Sequence, residues 1–405
     1  MIKFGTRHNL LYPMMFLLFT GIRKIDSIMM KELTDFNGSL FLTLIMFIAD
    51  FVGGIIVYSY HLKFLKEKEA SKFMGIELIQ APSDISHPDS DRKIYLLLFL
   101  ASFLDFAEYT ISSYFIPEKI KDVSLSLEWR LKSIIICGSS FFCYYLLKIP
   151  IFKHQILSLI TILICLVVVI ITEIIEFKKN SSHGRSITHI IYVLFLMLIN
   201  HIYNSCFDTI EKYLLEYDYI NPYRMLMIEG FFGFFLSIFI SLFQNPFKEL
   251  EKAYNNEDVN FAILIFFLIL YFLLSAGRNI YRVTTNKLYS PMTKALFDYI
   301  LVPVLITYYY WAEEDFISDD KILYYFVINL IISIIIVFCG LIYNELIIIF
   351  CCNFEYDTHY EVSKRAKNIE SHAFELSLNE SSESNESSIS NYSNSESNLL
   401  EDEYK

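Results

Sequence analysis

The sequence predicts an all-α, polytopic membrane protein with ten transmembrane helices, made of two copies of one membrane unit. Three observations carry that reading. Of 405 residues, 55% are hydrophobic and only 19% charged, with a mean hydropathy of +0.43. An ordinary soluble domain has no means of hiding that much apolar surface. Apolar stretches long enough to cross a bilayer, about 20 residues, recur at 9–28, 38–60, 94–116, 125–147, 153–175, 187–208, 222–244, 260–281, 290–311 and 323–349. Finally, the stretch Leu288–Tyr310 has an earlier echo. Ser126, Arg130, Tyr144 and Tyr145 return as Ser290, Lys294, Tyr308 and Tyr309, all at one offset of about 164 residues, and a fixed offset marks a repeat.

Taken in order, the first span is the weakest, because Arg23 and Lys24 fall near its end. It has no small-residue cleavage site and reads as a retained span, not a removed leader. Residues 1–175 form the first unit, interrupted by a polar, flexible cytosolic loop at 61–93. The start of span four, Leu125–Lys132, is marginal, with Glu128, Arg130 and Lys132 close together. Residues 187–349 form the second unit. Residues 350–405 are dense in Ser, Asn and Glu and hold much of the net charge of −12. They have too little apolar content to fold alone, so a disordered acidic tail is expected.

Basic residues set the orientation. With a cytosolic N-terminus, that side receives Lys63, Lys66, Lys68, Lys72, Arg92, Lys93, Arg224, Arg278, Arg282 and Lys287, among others, and the opposite side fewer. An even span count then returns the C-terminus to the cytosol. Asn180-Ser181-Ser182 is the better-placed N-glycosylation sequon on the far side, Asn37 lying too near the membrane. The seven cysteines show no CxxC spacing and no cluster with histidine, so neither a disulfide framework nor a metal site is expected. No cofactor is called for.

No nucleotide-binding loop, nucleophile elbow or zinc-hydrolase pair is present, which disfavours an ATP-driven pump or an enzyme. What remains is polar residues inside spans, the usual mark of a permeation path. Asp50 lies in span two. Asp105 and Glu108 lie three apart on one face of span three. Asn200, Asn204 and Asp208 form a stripe on span six beside His201. Glu229 opens span seven, Arg278 and Asn279 close span eight, and Thr293, Lys294 and Asp298 lie in span nine. Each also has a plain structural reading. Asp208 and Arg278 fit a membrane interface, Lys294 can snorkel to the surface, and Asp50, Asp105 and Glu229 can cap or pair with a neighbour. His201 fits a satisfied interior histidine. Gly230 and Gly233 suit close helix packing, and the tyrosine runs suit interfacial belts.

In order, these residues resemble the drug/metabolite transporter superfamily: the F subfamily of solute carrier family 35, sixth-member-like, and chloroquine-resistance-transporter-like proteins. The resemblance covers most of residues 40–310. It rests on Leu104-Asp105, on Trp129-Arg130-Leu131, on Glu211-Lys212-Tyr213 followed by Glu229-Gly230-Phe231-Phe232-Gly233, and on Ser290-Pro291-Met292-Thr293-Lys294 with Asp298. Asp50 stands where relatives tend to have glutamate, and Lys294 where they have arginine. The basic residue they carry just beyond is absent, in the region of Leu301 and Pro303.

The resemblance implies two five-helix repeats of inverted topology and a solute site near the midplane between them. It also implies peripheral helices five and ten that support a homodimer. Asp50, Asp105, Glu108, Arg130, Asn200, Asn204, Glu229, Thr293, Lys294 and Asp298 are the candidate residues for solute or coupling-ion binding. Protons would be carried by Asp50, Asp105 and Glu229, and Arg130 and Lys294 would attract an anion from opposite membrane faces. The expected protein is therefore a secondary transporter of a small polar or anionic organic solute, such as a nucleotide-sugar or amino acid, in an intracellular membrane, with no nucleic-acid partner. The alternatives are a non-transporting scaffold acting through its tail and an integral-membrane transferase.

Overall fold

The computed structural model describes residues 2–4, 10–34, 36, 38–72, 88–111, 125–180, 187–242, 245–255, 260–311 and 320–349, with 358, 361, 364 and 365. The middle of the 61–93 loop, the acidic stretch 313–319, Cys351, Cys352 and nearly all of the tail lie outside these residues. So do the side chains of Ser126 and Asn180. The chain divides into two compact units. One is Arg7–Ile151 with Gln155–Asn344; the other is Met1–Thr6, Phe152–His154 and Glu345–Lys405.

The larger unit is helical. Its elements are α1 (Leu11–Thr34), α2 (Ser39–Lys72), α3 (Pro88–Thr110), α4 (Leu125–Leu131), α5 (Ser133–Leu146), α6 (Lys153–Asn180, whose first two residues belong to the smaller unit), α7 (Ile187–Glu216), α8 (Pro222–Ser241), the short α9 (Lys248–Asn255), α10 (Phe261–Leu288), α11 (Pro291–Ile300), α12 (Val302–Trp311) and α13 (Asp320–Tyr343). Among the described residues, six helices are long and apolar enough to cross a membrane: the segments Leu40–Lys63, Lys153–Ile175, Ile191–Glu216, Pro222–Ser241, Phe261–Leu288 and Leu323–Tyr343. Only 33–50% of each apolar window is buried by the protein itself. The uncovered remainder is rich in Ile, Leu, Val and Phe, as at Ile160, Leu163, Ile164 and Val167. So much exposed apolar surface needs lipid to cover it. The protein is an all-α integral membrane protein.

Helix starts follow local chemistry. The side chain of Asn221 accepts from the amides of Tyr223 and Arg224, ahead of Pro222 at the first helical position. Asn260 does the same for Ala262 and Ile263. Ser290 accepts from the Thr293 amide at 3.1 Å, with Pro291 following. Each satisfies donors that the first turn leaves open.

Two expected spans are interrupted. The fourth breaks at Lys132, where i→i−3 bonds (Lys132 N to Trp129 O, Ile135 N to Lys132 O) replace the α ladder and Ser133 Oγ donates to Arg130 O. The ninth breaks at Leu301, two residues before Pro303, which offers no amide to the turn behind it. Span eight runs to Leu288, past the expected limit of 281. Arg278 and Arg282 are therefore not loop cations: both lie inside α10, 7% and 3% exposed.

In packing, α2 lies along α8, α1 along α10, and α3 along α7. The α2–α8 contact is close enough for backbone to meet backbone. A Cβ at Gly230 would stand 2.4 Å from Phe51 N, and one at Gly54 would stand 2.7 Å from Met227 N. Further contacts join α2 to α10, α3 to α8, α5 to α7 and to α11, α1 to α11, and α12 to α13.

The smaller unit departs from the all-helical expectation. Strands β1 (Ile2–Phe4) and β2 (Ile347–Ile349) pair antiparallel, Lys3 opposite Ile348. Within this unit His154 Nε2 lies 3.6 Å from Glu345 Oε1 and its ring stacks on Phe152.

Candidate functional site

A cavity of about 270 Å³ lies in the larger unit, lined by α1, α3, α4, α7, α10, α11 and the Lys132 break. Its wall is unusually charged for a membrane helix bundle. Six basic side chains reach it (Arg23, Lys24, Lys132, Arg278, Arg282, Lys294), and four acidic ones (Asp105, Glu108, Glu128, Asp298). Tyr109, Tyr271, Phe207 and His201 complete much of the remainder.

Three sets of ion pairs hold part of this charge. Lys132 Nζ lies 2.7 Å from Asp298 Oδ2, joining the breaks of the fourth and ninth spans. Lys294 Nζ lies 2.8 Å from Asp208 Oδ2, and also donates to Asn204 Oδ1, whose amide donates to Glu108 Oε1 at 3.3 Å. Arg282 bridges two carboxylates at 3.2 Å each, Glu211 of α7 and Glu229 of α8. Asn286 holds the other oxygen of Glu211 at 2.6 Å. Charges this deeply buried are tolerated when such partners satisfy them.

The remaining cations lie against aromatic faces. Arg23 sits 5.6 Å from the Tyr271 ring centroid and Lys24 5.0 Å from that of Trp129. Arg278 packs over Phe16 and donates to Tyr109 Oη and Asn279 Oδ1. Among the described residues none of these three has a carboxylate within ion-pair reach. Cation–π contact holds a cation without neutralising it.

Of the residues singled out from sequence, Asp105, Glu108, His201, Asn204, Arg278, Lys294 and Asp298 line the cavity. Asp50 and Glu229 stand just behind the wall. Asp50 accepts from Asn279 Nδ2 at 2.6 Å, and so reaches Arg278 through that amide. Glu229 acts through Arg282. Arg130, Asn200 and Thr293 are elsewhere. Arg130 is fully buried; it pairs with Glu173 of α6 at 2.6 Å and donates to Asn329 of α13 at 2.8 Å. It thus faces neither the cavity nor lipid, and the expectation of two opposed basic gates loses one member. Thr293 bonds Asn344 and Ser290 at the start of α11. Asn200 is buried outside the lining.

Sequence reasoning misses Arg23, Lys24, Lys132 and Arg282, and for Arg278 it offers a membrane interface where the structure has the cavity wall. The available signal was periodicity. Apolar positions continue beyond Lys24 through Ile25, Ile28 and Met29, so the helix does not end at its charges. Residues two apart on a helix do not share a face, so Lys132 points away from Arg130. No protein-family model matches the chain, and no curated protein shows a significant match to it.

Proposed function

We propose that the protein is a secondary active transporter, of the drug/metabolite transporter kind, that carries a small polar or anionic organic solute through this cavity by alternating access. The observation that carries the proposal is a charged cavity walled by helices from both halves of the chain, two of which (α7 and α10) are long and apolar enough to cross a membrane, with a Lys132–Asp298 pair that links the break of the fourth span to the turn before the break of the ninth. Secondary transporters form solute sites from discontinuous helices near the midplane.

The architecture proposed is ten spans in two inverted five-helix repeats. Eight continuous helices (α1, α2, α3, α6, α7, α8, α10, α13) and two broken ones (α4–α5, α11–α12) give that count. Packing is reciprocal in support of it. Exchanging each span with the one five places on turns the α1–α10 contact into α7–α3, α2–α10 into α8–α3, and α5–α7 into α11–α1. The exchange also returns α2–α8 to itself. There the contacts of Gly54 with Met227 and of Gly230 with Phe51 are mirror copies, glycine and partner three residues apart in each helix. An odd number of spans per repeat inverts the second copy.

Proton coupling fits the carboxyls just behind the wall, Asp50 and Glu229. Residence in an intracellular membrane, and a homodimer through α6 and α13, belong to the same proposal. The test is uptake of a broad metabolite panel into liposomes holding the purified full-length protein, with and without a pH gradient. At least one solute should enter, and Lys294→Ala should reduce its uptake by about tenfold or more, the range expected when a buried ion pair at the site is broken. No uptake across the panel, or unchanged uptake by the variant, would remove the proposal or this residue from it, respectively.

A further inference from the structure

We infer that the solute taken by this cavity is a zwitterion of about amino-acid size, carrying an anionic and a cationic group apart from one another; the inference rests on the transporter reading above. It comes from setting aside the charges already paired and asking what the others face. Lys132, Lys294 and Arg282 have carboxylate partners. Arg23, Lys24 and Arg278 have none within ion-pair reach among the described residues, and neither Asp105, Glu108 nor Glu128 has a cation there.

The two sets come from different walls. The cations sit on α1 and α10, which pack along each other. The carboxyls sit on α3 and α4, both packed on α7. Charge withdrawn from water is costly until it meets a counter-charge or good hydrogen bonds. An anionic solute would satisfy the α1–α10 wall and leave Asp105, Glu108 and Glu128 with no cation inside ion-pair reach among the described residues, Glu108 holding only the Asn204 amide. A cationic solute would do the reverse. A molecule bearing both groups satisfies both walls in one pose. Hydrogen bonding of Arg278 to Tyr109 of α3 sets a cation beside the acidic wall, so the solute's charged groups need be only a short chain apart.

Size narrows the class further. At about 270 Å³ the cavity falls just below the range of roughly 300–1,000 Å³ typical for drug-sized ligands. An amino acid or a phosphocholine-sized molecule fits that volume.

The experiment measures binding to the full-length protein in lipid nanodiscs by thermal shift, and exchange of the same compounds in liposomes. The probes are the protein amino acids, γ-aminobutyrate and phosphocholine, each beside an analogue lacking its anionic group and one lacking its cationic group. At least one zwitterion should bind and exchange, with both single-charge analogues at least about tenfold weaker, the factor that 1.4 kcal/mol corresponds to. Arg278→Gln should cost more against the acid analogue than against the amine, and Glu108→Gln the reverse. The charge-keeping Arg278→Lys and Glu108→Asp should recover part of the loss, which separates recognition from misfolding. A single-charge acid or amine that binds as tightly as its zwitterion overturns the inference and leaves the transporter reading standing. Silence from every zwitterion while a phosphate ester or dicarboxylate is exchanged does the same. Uptake of nothing at all, in this set and in the wider metabolite panel, overturns both.

Discussion

Arg130 and Lys132 lie two residues apart and serve different ends. Arg130 ties α6 and α13 to the fourth span through Glu173 and Asn329, all three side chains nearly fully buried. Truncating one partner of such a pair strands the other charge, at a cost of about 3–5 kcal/mol. Arg130→Ala should therefore lower the thermal midpoint of the purified protein sharply, and the Arg130→Ala/Glu173→Ala double variant should recover part of that loss, because no lone carboxylate remains. Gly230 makes a steric prediction of the same kind. Its missing Cβ leaves room for the Phe51 backbone, and overpacking a tight contact costs about 1–3 kcal/mol. Gly230→Ala should be destabilised by that amount in the same melt, whereas Ala at the less crowded Gly21, whose Cβ would stand 3.6 Å from Leu301, should change little. At this scale the sequence exposed the acids better than the bases. A carboxylate flanked by apolar residues, such as Asp105, stands out. Basic residues near the edge of an apolar run, such as Lys24 or Arg278, look like the edge itself, since a hydropathy window ends where charge begins and cannot tell a cavity from water.

At the scale of elements, α10 is where that ambiguity mattered most. Hydropathy places its last two turns in a cytosolic loop, yet they carry Arg282 into the interior, where one guanidinium serves Glu211 of α7 and Glu229 of α8. Asp105 and Asp208 add to the negative potential at its guanidinium. Arg282→Gln leaves two buried carboxylates without a cation, so a loss of about 3–5 kcal/mol is expected at neutral pH. The sign with pH follows from the charges: acid neutralises the stranded carboxylates, so the loss should shrink as pH falls and grow as it rises. Thermal melts across a pH series check this, and a pH-independent deficit would show that packing, not charge, is what Arg282 supplies. Glu229→Gln leaves Arg282 its second carboxylate, and its cost should stay near that of an average substitution, about 1 kcal/mol. The helix breaks were less legible. Pro303 signals the one in the ninth span, but the break at Lys132 has no proline or glycine and arises from the hydrogen-bond shift around Ser133. The β1–β2 pairing joins residues more than 340 positions apart in the chain, and three-residue strands carry no periodic signal of their own.

At the scale of the whole molecule, the offset shared by the fourth and ninth spans is the sequence signal for the proposed repeat, and the reciprocal helix packing is consistent with it. The proposed inverted form makes a demand that can be measured. Two five-span halves of opposite orientation give an even total, so both chain ends must lie on one side of the membrane. They also leave residues 176–186, between the halves, on the other side. Tags placed at the two ends should therefore be reached together by a protease or antibody when the plasma membrane alone is permeabilised. The Asn180 sequon should carry a glycan, seen as an endoglycosidase mobility shift that Asn180→Gln abolishes. Tags that respond on opposite sides would mean an odd span count, and with it the loss of the symmetric, two-repeat cavity. A glycan shift that survives Asn180→Gln would count against this topology. The first outcome bears on α1 most directly, since its Arg23 and Lys24 made it the weakest span by hydropathy. Those same two side chains line the cavity, so a protein whose first helix fails to cross would lose two of the cations on which solute recognition is proposed to depend.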